Sequence, residues 1–408
     1  MLWTSSISGI VFGRLIDKHS RKRILVLISF FRAACLILLS FVPEGLGFQT
    51  WIYFFILTLI FAIFAGGSYP AIVSLAYDTV RKEERSQFFG IFGVINSIFT
   101  LFGFLISGYL VQENFWRINF LMIGLAILLA GFNVNFIIKE PKRGIQNEEL
   151  KNVLKYNSVE YNFKLNKETL RKTIFSKTNI AAFIEGVFTN VYMGSLQILI
   201  LPYLQTPPHN FSPFLTGIFL VLFGLSGGLL GQILLAKLSD RLSSKNHKRR
   251  LDFIIISLIG GSITFTLLFF VPLPNLTVNE GKNFLIFITL PSTYLMGVLL
   301  FSSFAISSLY GVNQPPLLQD INLPEAQGTI TSWNQFLENI GYGMGPLISG
   351  ILISFFSENY QVISIIISLF VIPGVILWIC AYKWYTQDKK TVSKILKERS
   401  RLLSKEIN

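Results

Sequence analysis

Gly13-Arg14-Leu15-Ile16-Asp17-Lys18-His19-Ser20-Arg21-Lys22-Arg23 is a densely charged stretch set between two apolar runs. A weaker copy returns far downstream as Ala236-Lys237-Leu238-Ser239-Asp240-Arg241, again flanked by hydrophobic sequence. Each copy places a carboxylate and a following base at the turn between two apolar segments. A charged turn that recurs in this way predicts a chain built from two related halves.

Composition says what medium those halves occupy. Of 408 residues, 52% are hydrophobic and only 14% charged, with a mean hydropathy of +0.57, far too apolar for an ordinary soluble protein. A helix needs about 20 apolar residues to cross the hydrocarbon core. Such runs begin with residues 1–16 and continue at about 24–42, 51–77, 87–111, 116–138, 179–204, 213–238, 251–271, 284–311, 326–356 and 360–385. The expected fold class is therefore all-α, a polytopic membrane protein with about eleven transmembrane helices.

The net charge of +13 is distributed by loop. Arg81, Lys82 and Arg85 fall on one side, the base-free Gln112-Glu113-Asn114 on the other, and the basic segment Lys139 to Lys177 on the first side again. Pro207-Pro208-His209 carries no base, whereas Lys245 to Arg250 and the tail after Lys383 are basic. All but three of the 35 Lys and Arg fall on one side, the exceptions being Arg117, Lys282 and Arg32, which lies within a span and is expected to snorkel toward the headgroups. The positive-inside rule makes that side cytoplasmic, so the central linker and the C-terminus are cytoplasmic and the membrane is expected to be the plasma membrane. The bases then face anionic lipid, and nucleic acid is excluded as a partner.

Cys35 and Cys380 lie inside apolar runs, and His19, His209 and His247 sit in three separate loops, so neither a disulfide framework nor a metal site is expected. No cleavable signal peptide is apparent. Walker A, catalytic-triad and metal-cluster patterns are missing from the sequence, which predicts a protein that is not an enzyme, uses no cofactor and draws energy from gradients.

The polar segment Lys139 to Lys177 divides the chain. The expected organisation is an N-terminal helical half at 1–138, a linker at 139–178, a C-terminal half at 179–386 and a basic tail at 387–408. The linker reads as a solvated connector, with Lys167 to Phe175 as a possible surface helix. In the tail, Val392, Ile395, Leu396, Leu402 and Leu403 at helical spacing among bases predict an amphipathic helix on the inner leaflet.

Internal repetition extends beyond the charged turn. Gly103-Phe104-Leu105-Ile106-Ser107-Gly108 recurs as Gly345-Pro346-Leu347-Ile348-Ser349-Gly350, and the same offset maps Asp78 onto Asp320 and Asn96 onto Glu338. Gly90 and Gly93 in one helix have counterparts in Gly341 and Gly343. Two spans lead up to the second copy of the charged turn but only one precedes the first, so the duplication predicts a further span before Met1, the first helix of the N-terminal half being absent from this chain.

Gly13, Leu15, Asp17, Arg21 and Lys22, together with the half-repeat, resemble the signature loop of the major facilitator superfamily. Within it the chain is most similar to spinster-like transporters. The serine in Asp17-Lys18-His19-Ser20-Arg21-Lys22, the stretch Gly67-Ser68-Tyr69-Pro70, the pair Trp116-Arg117 and Glu140-Pro141-Lys142-Arg143-Gly144 carry that likeness. The resemblance implies two pseudo-repeated six-helix halves and a secondary carrier moving lipid-like amphiphiles by alternating access. An arginine and a glutamate on the family's fourth helix help form the polar site; at those positions this chain has Leu59 and Gly66.

Candidate residues fall into two sets. In the gating set, Asp17 ends a helix where it can meet the positive N-terminus of a neighbour, and in the superfamily such an aspartate latches the two halves. Arg21, Lys22 and the repeat partner Asp240 belong with it, as does Arg85, seven residues after Asp78, and the carboxylates Asp78 and Asp320 are expected to pair with the bases of the signature loops. In the cavity set, Glu338 lies near the bilayer midplane, flanked by Asn334 and faced by Asn96 from the other half, while Glu185 and Asn190 lie on the first span of the second half and Tyr69 on the family-like stretch. Ionisable groups at that depth are candidates for substrate or proton binding. The expected function is a secondary active transporter for an amphiphilic small molecule, monomeric, surrounded by membrane lipids and with protons as coupling ion. A drug or sugar-phosphate exporter of the same superfamily, and a non-transporting sensor or inactive fragment, are the alternatives.

Overall fold

The computed structural model describes residues 1–156 and 158–405, apart from the side chains at 104, 108, 111, 112 and 197. All regular structure among the described residues is helical. In chain order the helices are α1 (Leu2–Lys18), α2 (Arg21–Ser40), α3 (Phe48–Ala65), α4 (Ser68–Thr79), α5 (Arg85–Gln112), α6 (Trp116–Ile137), α7 (Glu148–Leu154) and α8 (Lys167–Lys172). They continue as α9 (Lys177–Gln205), α10 (Pro213–Ser243), α11 (Arg249–Leu268), α12 (Phe284–Thr289), α13 (Pro291–Asp320), α14 (Gln327–Phe355), α15 (Tyr360–Leu369) and α16 (Val371–Ser404). Among the described residues, ten helical columns are long and apolar enough to cross a membrane. The 17-residue α1, about 26 Å long, stands beside them.

Polar residues start several of these helices. Ser20 accepts a hydrogen bond from the Arg23 amide, and Ser176 and Ser212 cap α9 and α10 in the same way, each satisfying an amide that the first turn leaves unpaired. Pro213 and Pro291 occupy first-turn positions, where a missing N–H costs nothing.

The run expected at 51–77 is two helices, broken at Gly66-Gly67. A Cβ on Gly66 would come within 2.8 Å of the Gly9 amide nitrogen, so this break is where α3 passes against the backbone of α1. The run expected at 284–311 is displaced in the other direction. Its long helix starts at Pro291 and continues through Pro315-Pro316 to Asp320, although the two prolines remove the donors for the carbonyls of Gly311 and Val312.

Helices α2, α3 and α6 pack within a first bundle and α9–α16 chiefly among themselves in a second, whereas α1 and α5, members of the first, lie mostly against the second. The two bundles meet where α1 and α4 lie on α14 and where α5 lies on α10 and α13. The second bundle holds the main core, including the fully buried Trp378, Phe265 and Phe269. The largest concentration of basic loops lies at one end of the helices, called here the basic face.

At that face the structure differs from the connector and leaflet-bound tail expected from sequence. α16 does not stop near residue 385; it runs 34 residues, about 51 Å, and its far end docks on the linker. Val392, Leu396 and Leu403 are buried against Leu150, Leu154, Tyr161 and Ile174. The linker thus supplies the apolar surface that lipid was expected to supply. Lys142 braces this layer by donating to the carbonyls of Leu154, Tyr156 and Val159, which closes the C-terminal end of α7.

Candidate functional site

Asp17 ends α1, and its carboxylate accepts hydrogen bonds from the Gly328 and Thr329 amides, both at 2.7 Å, on the first turn of α14. Four unpaired amides and the helix dipole make that turn a natural seat for an anion. Gly13 explains how α1 comes so near. A Cβ there would lie 2.6 Å from the Gly328 carbonyl oxygen, a separation that real side chains do not adopt.

The second copy of the charged turn repeats the geometry on the opposite side of the molecule. Asp240 accepts from the Ser86 amide at 3.2 Å and the Gln87 amide at 2.8 Å, on the first turn of α5. Arg250 pairs with Asp240 at 3.0 Å and donates to the Ser86 hydroxyl. Each bundle therefore extends one aspartate onto a helix N-terminus of the other bundle.

Arg21 acts within one bundle instead. Its guanidinium is buried, pairs with Asp78 and donates to the Ser74 and Pro141 carbonyls, while Glu140 accepts from its backbone amide at 2.7 Å. Asp78 also accepts from the Gly144 amide at 2.6 Å, so the start of α2, the end of α4 and the start of the linker are bound at one point. Lys22 makes no ion pair among the described residues.

Asp320 departs from expectation. Its neighbours are Arg85 at 3.6 Å, Lys82 at 3.8 Å and Lys389 at 3.5 Å, none of them from a signature loop. The second charged turn has a serine, Ser244, four residues beyond its aspartate where the first has Arg21, so Asp320 draws its cations from across the bundle boundary and from α16. Arg85 is fixed there by the Tyr77 carbonyl and by the face of the Tyr77 ring, 4.5 Å away.

Deeper in the molecule, the two carboxylates singled out from sequence are joined by side chains that were not. Glu185, fully buried on α9, accepts from the Tyr310 hydroxyl at 3.0 Å and from Thr189. Gln314 donates to the Tyr310 oxygen at 2.9 Å and to Glu338 at 2.7 Å, and Asn334 donates to the same Glu338 oxygen at 2.8 Å. A continuous chain, Glu185–Tyr310–Gln314–Glu338–Asn334, crosses α9, α13 and α14. Gly186 leaves the room for it, since a Cβ there would press on Glu338 at 3.0 Å.

Tyr69 of α4 and Asn334 line one small cavity together with Gln314, which brings the first bundle to the edge of this chain. Asn190 turns back to its own helix, donating to the Gly186 carbonyl at 2.9 Å. Asn96 does not face Glu338. It is exposed on α5, whose inner side packs on α10 and α13 rather than on α14, because the repeat equates residues by rotation about the molecular centre and does not make them touch. Arg32 donates to the Ser68 hydroxyl at 3.1 Å and lies over the Phe61 ring, so it points into the bundle instead of snorkelling outward.

Gln314 escaped the sequence reading because it lies beyond the span expected at 284–311, and Tyr310 because it sits at that span's end among apolar residues with no charge to mark it. The available signal was Asn313-Gln314, two amides just beyond an apolar run. Gly66, where the spinster-like resemblance implies a glutamate, is pressed against α1 and leaves no room for a side chain.

Two helical bundles latched reciprocally around polar groups at membrane depth define a carrier architecture. The family model described as Major Facilitator Superfamily matches residues 1–281 and 180–406, and the chain belongs to that superfamily. It is thus a multi-pass membrane transporter. No curated protein matches the sequence significantly. Among solved structures, the human organic anion transporter MFSD10 (TETRAN) superposes with a TM-score of 0.63 at 15% identity, over 92% of this chain and 81% of the other. A bacterial homologue of the iron transporter ferroportin, solved in an outward-facing state, gives 0.61 at 14% identity, over 94% and 89%. At these identities the likeness is one of fold.

Proposed function

We propose that the chain is a secondary active transporter working by alternating access, that its basic face is cytoplasmic, and that the latched state is the one closed to the cytoplasm. The observation that carries this reading is the reciprocal pair of aspartates, Asp17 on α14 and Asp240 on α5. Both are interactions between bundles, so both must break when the bundles rock apart at this face.

The cargo we propose is an amphiphilic, lipid-like small molecule whose polar head reaches Glu338, with a proton as coupling ion on the Glu185–Glu338 chain. Support comes from the position of Glu338, half-buried and already serving as acceptor for two amides, beside Tyr69 and the aromatic pair Trp333–Phe336. The likeness of Gly67-Ser68-Tyr69-Pro70 to spinster-like proteins points the same way.

The test is uptake of a labelled lysolipid into proteoliposomes bearing a pH gradient. The wild-type chain accumulates the label and Glu338→Gln loses the gradient dependence while remaining folded. Accumulation in Glu338→Gln that follows the pH gradient as in wild type removes Glu338 from coupling. Uptake of a cationic drug or a sugar phosphate with no lysolipid uptake removes the amphiphile reading.

A further inference from the structure

A cleft of about 990 Å³ opens at the basic face between α1, α14 and the start of α9, roofed by the linker. It is separate from the Glu185–Glu338 chain. Its mouth is cationic and its floor apolar, and the two are continuous.

Arg14, Lys18 and Lys164 line the mouth, all exposed, and none has an ion-pair partner among the described residues. The two carboxylates in the lining are committed elsewhere: Asp17 to the α14 amides, Glu325 to Arg399 at 2.7 Å and to the Tyr161 hydroxyl at 2.9 Å. Arg143, a fourth base, is also occupied, donating to the carbonyls of Ile16, Asp17 and His19 at the end of α1. The mouth therefore holds three uncompensated positive charges. Below it the wall is built from Phe175, Phe183, Trp333 and Leu337. Leu337 lies ten residues along α14 from Gln327, about 15 Å, so the apolar wall reaches well into lipid depth.

Three free cations above a deep apolar wall match one occupant, an anionic phospholipid of the leaflet at this face. A soluble phosphate leaves the wall unfilled, and a neutral lipid leaves the charges unmatched. We propose that this cleft binds an anionic phospholipid, with its phosphate among Arg14, Lys18 and Lys164 and an acyl chain along Phe183, Trp333 and Leu337. Asp17 and Thr329, the two sides of one latch, belong to the same lining, so α1 and α14 each supply part of the cleft wall. A bound lipid consequently stabilises the closed basic face, because a ligand shifts an equilibrium toward the state it prefers.

The experiment uses the full chain exchanged into micelles with phosphatidylglycerol or phosphatidylcholine, with retained lipid counted by native mass spectrometry. The wild-type chain retains phosphatidylglycerol selectively, and soluble glycerol phosphate does not displace it. Removing the three charges in R14Q/K18Q/K164Q weakens retention on the order of 100-fold, taking each base near a bilayer surface at its usual contribution. The variant K237Q/R241Q/K245Q, which removes three exposed bases from the same face of the other bundle, retains the lipid. Gel filtration shows that both variants are folded. Equal loss in the two variants, no loss in the first, or equal retention of phosphatidylcholine overturns the proposal. Displacement by glycerol phosphate alone also overturns it, reducing the site to one for free phosphate.

Discussion

Asp17 is held by two amide donors and returns nothing to its own helix, so its worth lies wholly in the contact between bundles. Replacing it by alanine leaves two amides without their charged acceptor, a loss of about 1.5–3 kcal/mol for a hydrogen bond to a charged group. Asp17→Ala is therefore expected to raise the reactivity of a cysteine placed at Ser332 toward a membrane-impermeant thiol reagent by roughly 10- to 100-fold. Unchanged labelling would show that the latch contributes nothing to closure. Arg21 and Asp78 respond differently, because both are buried within one bundle. Breaking a buried pair by removing one partner costs about 3–5 kcal/mol, so Arg21→Ala lowers thermal stability, and Arg21→Ala/Asp78→Ala recovers part of the loss. A double variant less stable than either single one would contradict that account.

At the scale of elements, α16 and the linker form a layer that the sequence concealed. Its heptad-like Val392, Leu396 and Leu403 are equally compatible with a leaflet and with a protein surface, and hydrophobic periodicity carries no information about which one is nearer. The deciding features are single contacts: Arg399 with Glu325 and Tyr161, and Ser393 with Glu149 at 2.6 Å. Deleting residues 391–408 uncovers Leu150, Leu154 and Tyr161, and is expected to make the linker cleavable by trypsin at Lys151 or Lys155; continued resistance would mean that the tail does not cover it. The docking also has a defined pH response. Burial, then the nearby Glu325 charge, raises the Tyr161 hydroxyl well above its ordinary 10.0. Below that value both docked and undocked tyrosine are neutral, so docking is insensitive to pH. Above it the undocked tyrosine ionises first, so docking weakens as pH rises, measurable as growing protease sensitivity that Tyr161→Phe abolishes.

For the whole molecule, legibility follows the range of the interaction. Hydrophobic runs and charged turns report their own surroundings, and the all-helical membrane fold was readable from them. The repeat in Asp17 and Asp240 was readable too, because the same local pattern occurs twice. Side-chain partners outside that pattern, on helices far apart in the chain, were not. Asp320 finds Lys82 and Lys389, Asn96 faces away from Glu338, and Gln314 joins two carboxylates from a helix that runs beyond the span expected at 284–311. None of these follows from spacing along the chain.

The account rests on the claim that the two aspartate contacts hold one state of a rocking cycle. A distance measurement tests it most directly. Spin labels at Arg23 and Lys245, both exposed and on different bundles at the basic face, are introduced with Cys35 and Cys380 replaced by serine, and pulsed electron spin resonance is recorded in liposomes. The parent chain is expected to show a dominant short distance, and Asp17→Asn/Asp240→Asn to transfer population to a longer one without loss of folded protein. An identical distance distribution in the two proteins would contradict the account.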